Sequence, residues 1–130
     1  MQSAVTRNIE VSVETSFLEK DSDPLEQYFV WAYRITITNH GDESVKLLKR
    51  HWQITDALGR LQEVKGDGVV GEQPVIAPGG SFTYSSGTPL GTASGFMRGS
   101  YHMQDPYGAR FDVEIPAFSL DSPHDAPQMH

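Results

Sequence analysis

Two antiparallel β-sheets packed face to face are what this sequence predicts, on three observations. Apolar and polar residues alternate with period two in one short segment after another. No stretch of helical length keeps a 3.6-residue apolar stripe free of Gly, Pro or β-branched residues. The chain of 130 residues also carries 12 Gly and 8 Pro, more punctuation than a helical bundle tolerates.

The elements follow in order. Ile9, Val11 and Val13 face one way and Glu10, Ser12 and Glu14 the other, which is a half-buried strand. Residues 21–27 are acidic, contain Pro24 and read as a loop. Phe29, Trp31, Tyr33, Ile35 and Ile37 then alternate with Arg34, Thr36 and Thr38, the strongest strand signal in the chain. Asn39, His40 and Gly41 end it in a turn. Over residues 45–55 the apolar phase changes: Val45 and Leu47 are odd, whereas Leu48, Trp52 and Ile54 are even. A β-bulge near residues 48–50 reconciles the two halves.

Residues 56–60 form a Gly-containing turn and 61–65 a return strand, followed by a glycine-rich segment, 66–80, interrupted by Pro74 and Pro78. Phe82 and Tyr84 mark a further strand, and 87–95 reads as a loop containing Pro89. Met97, Tyr101 and Met103 share one face of a strand, residues 105–108 make a Pro-containing turn, and Phe111, Val113 and Ile115 close the series before Pro116. Seven or eight short strands of this kind suggest an immunoglobulin-like or fibronectin type III-like antiparallel β-sandwich, with a closed barrel, which gives the same alternation, as the alternative. Residues 1–120 are expected to form that single domain, with 121–130 a disordered tail rich in Pro and poor in apolar side chains.

Composition removes several function classes. Ten Lys+Arg against 17 Asp+Glu give a net charge of −7, which disfavours nucleic acid and anionic membranes as partners. Zero Cys excludes disulfides, thiolate metal sites and cysteine nucleophiles. No apolar run approaches the ~20 residues of a membrane span, and residues 1–12 lack the apolar segment of a signal peptide. The expectation is a cytoplasmic protein without membrane insertion.

One motif stands out. Gly66, Gly68 and Gly71 satisfy G-x-G-x-x-G, which in dinucleotide-binding folds places a pyrophosphate at a helix N-terminus. Here Pro74 and Pro78 forbid the required helix, and Asp67 and Glu72 add negative charge. The glycines therefore read first as tight-turn residues, and second as an anion nest of successive backbone amides. Lys46, Lys49 and Arg50, next to His51, form a local basic cluster that reads first as a solvated strand face and second as a surface for an acidic partner. His51 and His102 lie on expected strands as a third, metal-binding candidate pair, to be weighed against ordinary hydrogen-bonded histidines. Ser81, Ser85, Ser86 and Ser94 sit in turn-like contexts without a nucleophile elbow, and Glu10 and Glu14 alternate outward as solvated carboxylates. Trp31, Trp52 and Tyr84 fall in phase with the inward faces and read as core or interface aromatics.

Four segments in a fixed order carry a family resemblance: His51 to Asp56; Gly66 to Pro74; Pro78-Gly79 with Phe82, Tyr84, Ser86 and Gly87; and Gly95 with Met97, Gly99, Tyr101 and Met103. Together they resemble the ApaG (CorD) family over residues 9–118. The resemblance implies a fibronectin type III-like sandwich, a bacterial setting, and an association with cobalt resistance and magnesium efflux. It implies gene neighbourhood with a diadenosine tetraphosphate hydrolase and an rRNA dimethyladenosine methyltransferase. A related domain in eukaryotic F-box proteins looks like an interaction module, and pyrophosphate binding has been attached to the segment that here holds Gly66, Gly68 and Gly71. No catalytic residue is carried over.

The functional expectation is a non-enzymatic binding module, without cofactor or assigned metal site, that engages another protein or its own copy as a homodimer. Lys46, Lys49 and Arg50 are the partner-binding candidates. The alternative is a small-ligand sensor in which Gly66, Gly68 and Gly71 hold the phosphate or pyrophosphate of a nucleotide or dinucleoside polyphosphate.

Overall fold

The computed structural model describes residues 1–125 and is an all-β antiparallel sandwich of the expected class. Its strands are β1 (Gln2–Thr6), β2 (Ile9–Phe17), β3 (Phe29–Asn39), β4 (Val45–Asp56), β5 (Leu61–Asp67), β6 (Val75–Ile76), β7 (Ser81–Leu90), β8 (Gly95–Gln104) and β9 (Arg110–Leu120). One sheet runs β1-β2-β3-β7 and the other β5-β4-β8-β9, with β6 pairing the start of β4. Two 3₁₀ turns, Glu19–Asp21 and Pro24–Glu26, occupy the acidic loop.

Nine strands are therefore formed among the described residues, where seven or eight are expected. β1 escapes the alternation test because none of its residues is buried. The two-residue β6 is set by tertiary contacts: Asn39, itself buried, donates from Nδ2 to the carbonyls of Glu43 and Ile76 and accepts from Gly41 N–H. The loop expected at 87–95 gives way to strand as far as Leu90. Pro89 is tolerated there because its nitrogen faces away from β3 on an edge strand. Likewise β9 continues past Pro116. Met97 pairs Phe118 while Gly99 pairs Ile115, so Pro116 and Ala117 together oppose Arg98 in a bulge. The bulge shifts the inward phase from Val113 and Ile115 to Phe118 and Leu120, all buried.

The expected bulge in β4 is present. Leu47 pairs Met103 and Lys49 pairs His102, leaving Leu48 as the extra residue. Ile9, Val11, Trp31, Ile35 and Ile37 from one sheet meet Leu47, Met97, Tyr101, Met103 and Val113 from the other. Trp31, Trp52 and Tyr84 are all buried in this core. Tyr33, Trp52 and Phe118 stack as an aromatic trio bridging the sheets, with centroids 5.3–6.1 Å apart.

The first residues of the expected tail are tied to the sandwich. Trp31 Nε1 donates to the Asp121 carbonyl at 2.8 Å, Ser122 Oγ donates to the Ala93 carbonyl, and His124 pairs with Glu19. The remainder of that expectation, residues 126–130, lies outside the described residues.

Candidate functional site

The bulge decides which part of the basic cluster reaches solvent. Ahead of it, even positions face outward and Lys46 is exposed; beyond it, odd positions do, so Lys49 and His51 join Lys46 on the outer face of the five-stranded sheet. Arg50 turns the other way. It is half-buried, and its guanidinium donates through Nη1 to the carbonyls of Asp67 and Gly68, each at 3.0 Å. Of the three cations read from the sequence as partner-binding, two lie on one surface and the third clamps a loop.

The strand register adds neighbours that linear spacing does not reveal. Across β5, β4, β8 and β9 one row is Lys65, His51, Ser100 and Glu114, and the next is Asp67, Lys49, His102 and Asp112. Between them opens a groove of about 420 Å³ lined by Lys49, Arg50, His51, Lys65, Ser100 and His102, together with Gly66, Asp67 and Asp112. His51 Nε2 is 2.9 Å from Glu63 and His102 Nδ1 is 2.8 Å from Asp112, so each imidazole has its own carboxylate partner. Among the described residues no three His, Asp or Glu side chains converge as a metal-binding group.

Ser100 opposite His51, with Glu63 reaching His51 from the diagonal position on β5, has the composition of a catalytic triad but not its geometry. His51 bonds Glu63, yet no hydrogen bond joins it to Ser100. Ser100 also sits on a central strand with ladders on both sides, so its neighbouring amides are spent on the sheet rather than aimed at an oxyanion.

The glycine motif folds as the end of β5 plus a tight turn. Val69 N–H donates to Glu72 O at 2.8 Å and Glu72 N–H to Val69 O at 2.9 Å. Val70 and Gly71 lie between them at φ 43° and 81°, as in a type I′ turn. Gly68 has φ 61°, and a Cβ there would collide with the Glu72 carbonyl oxygen. Its N–H donates to Leu48 O. Three amides of the motif region, those of Gly68, Val69 and Glu72, are thus already bonded internally. Gly66 alone of the three motif glycines lines the groove.

Beneath Arg50 lies a buried polar cluster that the sequence reading passes over, since each tyrosine counts there only as a core aromatic. The Tyr84 and Tyr101 hydroxyls share a hydrogen bond of 2.5 Å across the two sheets. Burial pushes both phenols well above the usual tyrosine range, with Arg50 a smaller opposing influence. Burial also raises Tyr33, partly offset by the neighbouring Ser86 side chain and by Arg50.

Comparison with known proteins agrees with this architecture. The family model described as the ApaG domain matches residues 19–105. Protein ApaG of Paramagnetospirillum magneticum is 58% identical over 130 residues, covering 100% of both chains. Protein ApaG of Brucella suis biovar 1 is 60% identical over 123 residues, 95% of each chain. The crystal structure of the ApaA protein of Bordetella pertussis superposes with a TM-score of 0.86 at 46% identity, covering 89% of this chain and 94% of that one. A second structural-genomics crystal structure gives the same TM-score at 42% identity, covering 98% and 96%. With the domain model spanning most of the chain and relatives aligned along its length, this protein belongs to the ApaG family.

Proposed function

We propose that the protein is a non-catalytic binding module whose recognition surface is the outer face of the five-stranded sheet, presented to an acidic segment of a protein partner. The supporting observation is the gathering of Lys49, Lys65, His51 and His102 around one open groove on a chain of net charge −7, with Lys46 exposed on the same face. The side chains sit on paired strands, so the backbone that carries them is preorganised and binding has only the side chains left to order. The Ser100, His51 and Glu63 set lacks the nucleophile-to-base contact that acyl transfer needs, which favours binding over catalysis. The test is capture from native cell lysate by wild type, Lys49→Glu/Lys65→Glu and the control Lys20→Glu. A partner retained by wild type and the control but lost by the double variant supports the reading; equal retention by all three overturns it.

A second reading is favoured by Gly66 lining the same groove beside Lys49, Arg50 and Lys65. A phosphate or pyrophosphate group is then held by cationic side chains rather than by the loop amides, several of which are already bonded. Titrating inorganic pyrophosphate, ATP or diadenosine tetraphosphate with magnesium into labelled protein distinguishes the two. Saturable shifts at Lys49, Lys65 and Gly66 support the ligand reading, and their absence at millimolar concentration removes it.

A further inference from the structure

The edges of the two sheets are guarded unequally. β3 and β7 pair without a break from Phe29 with Leu90 to Thr38 with Ser81. At the end of that ladder Asn39 N–H donates to Gly80 O, while on the other side of β3 the Val30 carbonyl accepts from Leu18, next to β2. This fixes which residues bond which neighbour. Odd residues of β3 address β7, so Phe82, Tyr84, Ser86, Thr88 and Leu90 carry the ladder. Ser81, Thr83, Ser85 and Gly87 point their N–H and C=O groups away from the sheet.

Among the described residues nothing protects that row. All four residues are uncharged, and Ser81, Thr83, Ser85 and Gly87 are exposed. β7 is the end of its sheet, and Pro89 arrives only after them. The corresponding outward positions on edge strand β5 are treated differently: Glu63, Lys65 and Asp67 alternate in charge along it. On the opposite side of the sandwich β1 and β9 lie against each other, with Glu114 N–H donating to Thr6 Oγ1. The free edge of β7 is the unguarded one.

We propose that β7 pairs antiparallel with β7 of a second copy about a two-fold axis at Thr83, joining the four-stranded sheets of two subunits into one continuous sheet. A second copy fits because the edge is self-complementary. Thr83 meets Thr83 of the second copy and Ser81 meets its Ser85, so no like charges oppose each other although each chain carries −7. Pairing β7 with the charged β5 edge instead would set Glu63, Lys65 and Asp67 against an edge offering no countercharge. On the inner side Phe82, half-buried and 6.2 Å from Tyr84 of its own chain, comes opposite Tyr84 of the second copy and is covered.

Sedimentation equilibrium over a concentration series, together with amide exchange, tests the proposal on the full chain. The wild type is expected to rise from 14.4 kDa toward twice that mass, with Thr83 and Ser85 amides becoming protected as concentration increases. Thr83→Lys places two cations face to face at the axis, and Thr83→Pro removes an outward N–H without touching the β3 ladder; both are expected to remain monomeric. Ser3→Lys, on the far edge of the same sheet, adds the same charge and is expected to leave the dimer intact. Circular dichroism identifies a Thr83 variant that has failed to fold, in which case Ser85→Lys replaces it. A wild type that is monomeric at millimolar concentration, or a Ser3→Lys chain that dissociates as readily as Thr83→Lys, overturns the proposal.

Discussion

The guanidinium of Arg50 occupies the space that a side chain at position 66 would fill: a Cβ on Gly66 would lie 2.8–2.9 Å from its Nη1, Cζ and Nη2 atoms. The missing side chain at Gly66 leaves room for Arg50, whose bonds to the Asp67 and Gly68 carbonyls hold the end of β5 and the glycine turn in place. Arg50→Ala is expected to cost about 1.5–3 kcal/mol, the range for hydrogen bonds from a charged donor. Gly66→Ala is expected to cost less than Arg50→Ala, because the atoms in the way are the far end of a flexible side chain that can swing aside, and the loss is limited to the loop hydrogen bonds that this shift weakens. Urea melts give the loss, and faster amide exchange confined to residues 66–72 locates it.

Tyr84 and Tyr101 supply a second prediction, because their hydroxyls are each other's buried partner. Tyr84→Phe or Tyr101→Phe alone leaves one hydroxyl unsatisfied and is expected to cost about 1–3 kcal/mol. The double variant removes both polar groups and is expected to cost clearly less than the sum, a coupling that a double-mutant cycle measures. The pH dependence follows from the raised phenols. In the unfolded chain tyrosine ionises near pH ~10, whereas burial keeps Tyr33, Tyr84 and Tyr101 protonated to higher pH in the fold. The folded state then binds more protons than the unfolded one. This stability is fully present below about pH 10 and is lost as pH rises toward the folded-state values. Urea midpoints between pH 8 and 11 should fall less steeply in the double variant than in wild type.

Val70 is a β-branched residue held at φ 43° at the first position of the Val70-Gly71 turn, and it is 57% exposed. Left-handed backbone costs a β-branched residue about 1–2 kcal/mol, and Asn is the favoured residue there. Val70→Asn is expected to stabilise the fold by about 1 kcal/mol, seen as a higher urea midpoint at unchanged slope. No gain in midpoint would mean that Val70 packing compensates its backbone strain.

What could be read from the sequence, and what could not, divides along a physical line. The long period-two run from Phe29 to Ile37 and the phase change in β4 are local patterns, so β3 and the bulge at Leu48 are visible in the residues themselves. β1, β6 and the end of β9 depend on distant partners: β1 has no buried position, β6 is two residues long, and β9 passes Pro116 only because a bulge absorbs it. The candidate site fails in the same way. Lys46 and Lys49 can be paired from sequence once the bulge is placed, and the same bulge sends Arg50 inward, a step the clustered reading of the basic residues omits. Lys65 and His102 join Lys49 through strand register alone, which no spacing along the chain encodes.

Leu48 makes the last prediction, because the bulge and the glycine turn meet on its backbone. Its carbonyl accepts from both Gly68 N–H and Gln73 Nε2. Deleting Leu48 would flip no face, since Leu47 and Arg50 would remain inward with Lys49 between them facing out, as in a regular strand. The deletion should therefore preserve the core and cooperative unfolding, while removing the acceptor that anchors residues 68–73. The expected result is a loss of about 1–3 kcal/mol, the usual cost of leaving such donors without a partner. Exchange should be accelerated at Gly68 but unchanged along the β8–β9 ladder. If the deletion instead abolished folding, the extra residue would be needed for the twist of β4 itself, and the bulge would be a core element rather than the mount of the glycine turn.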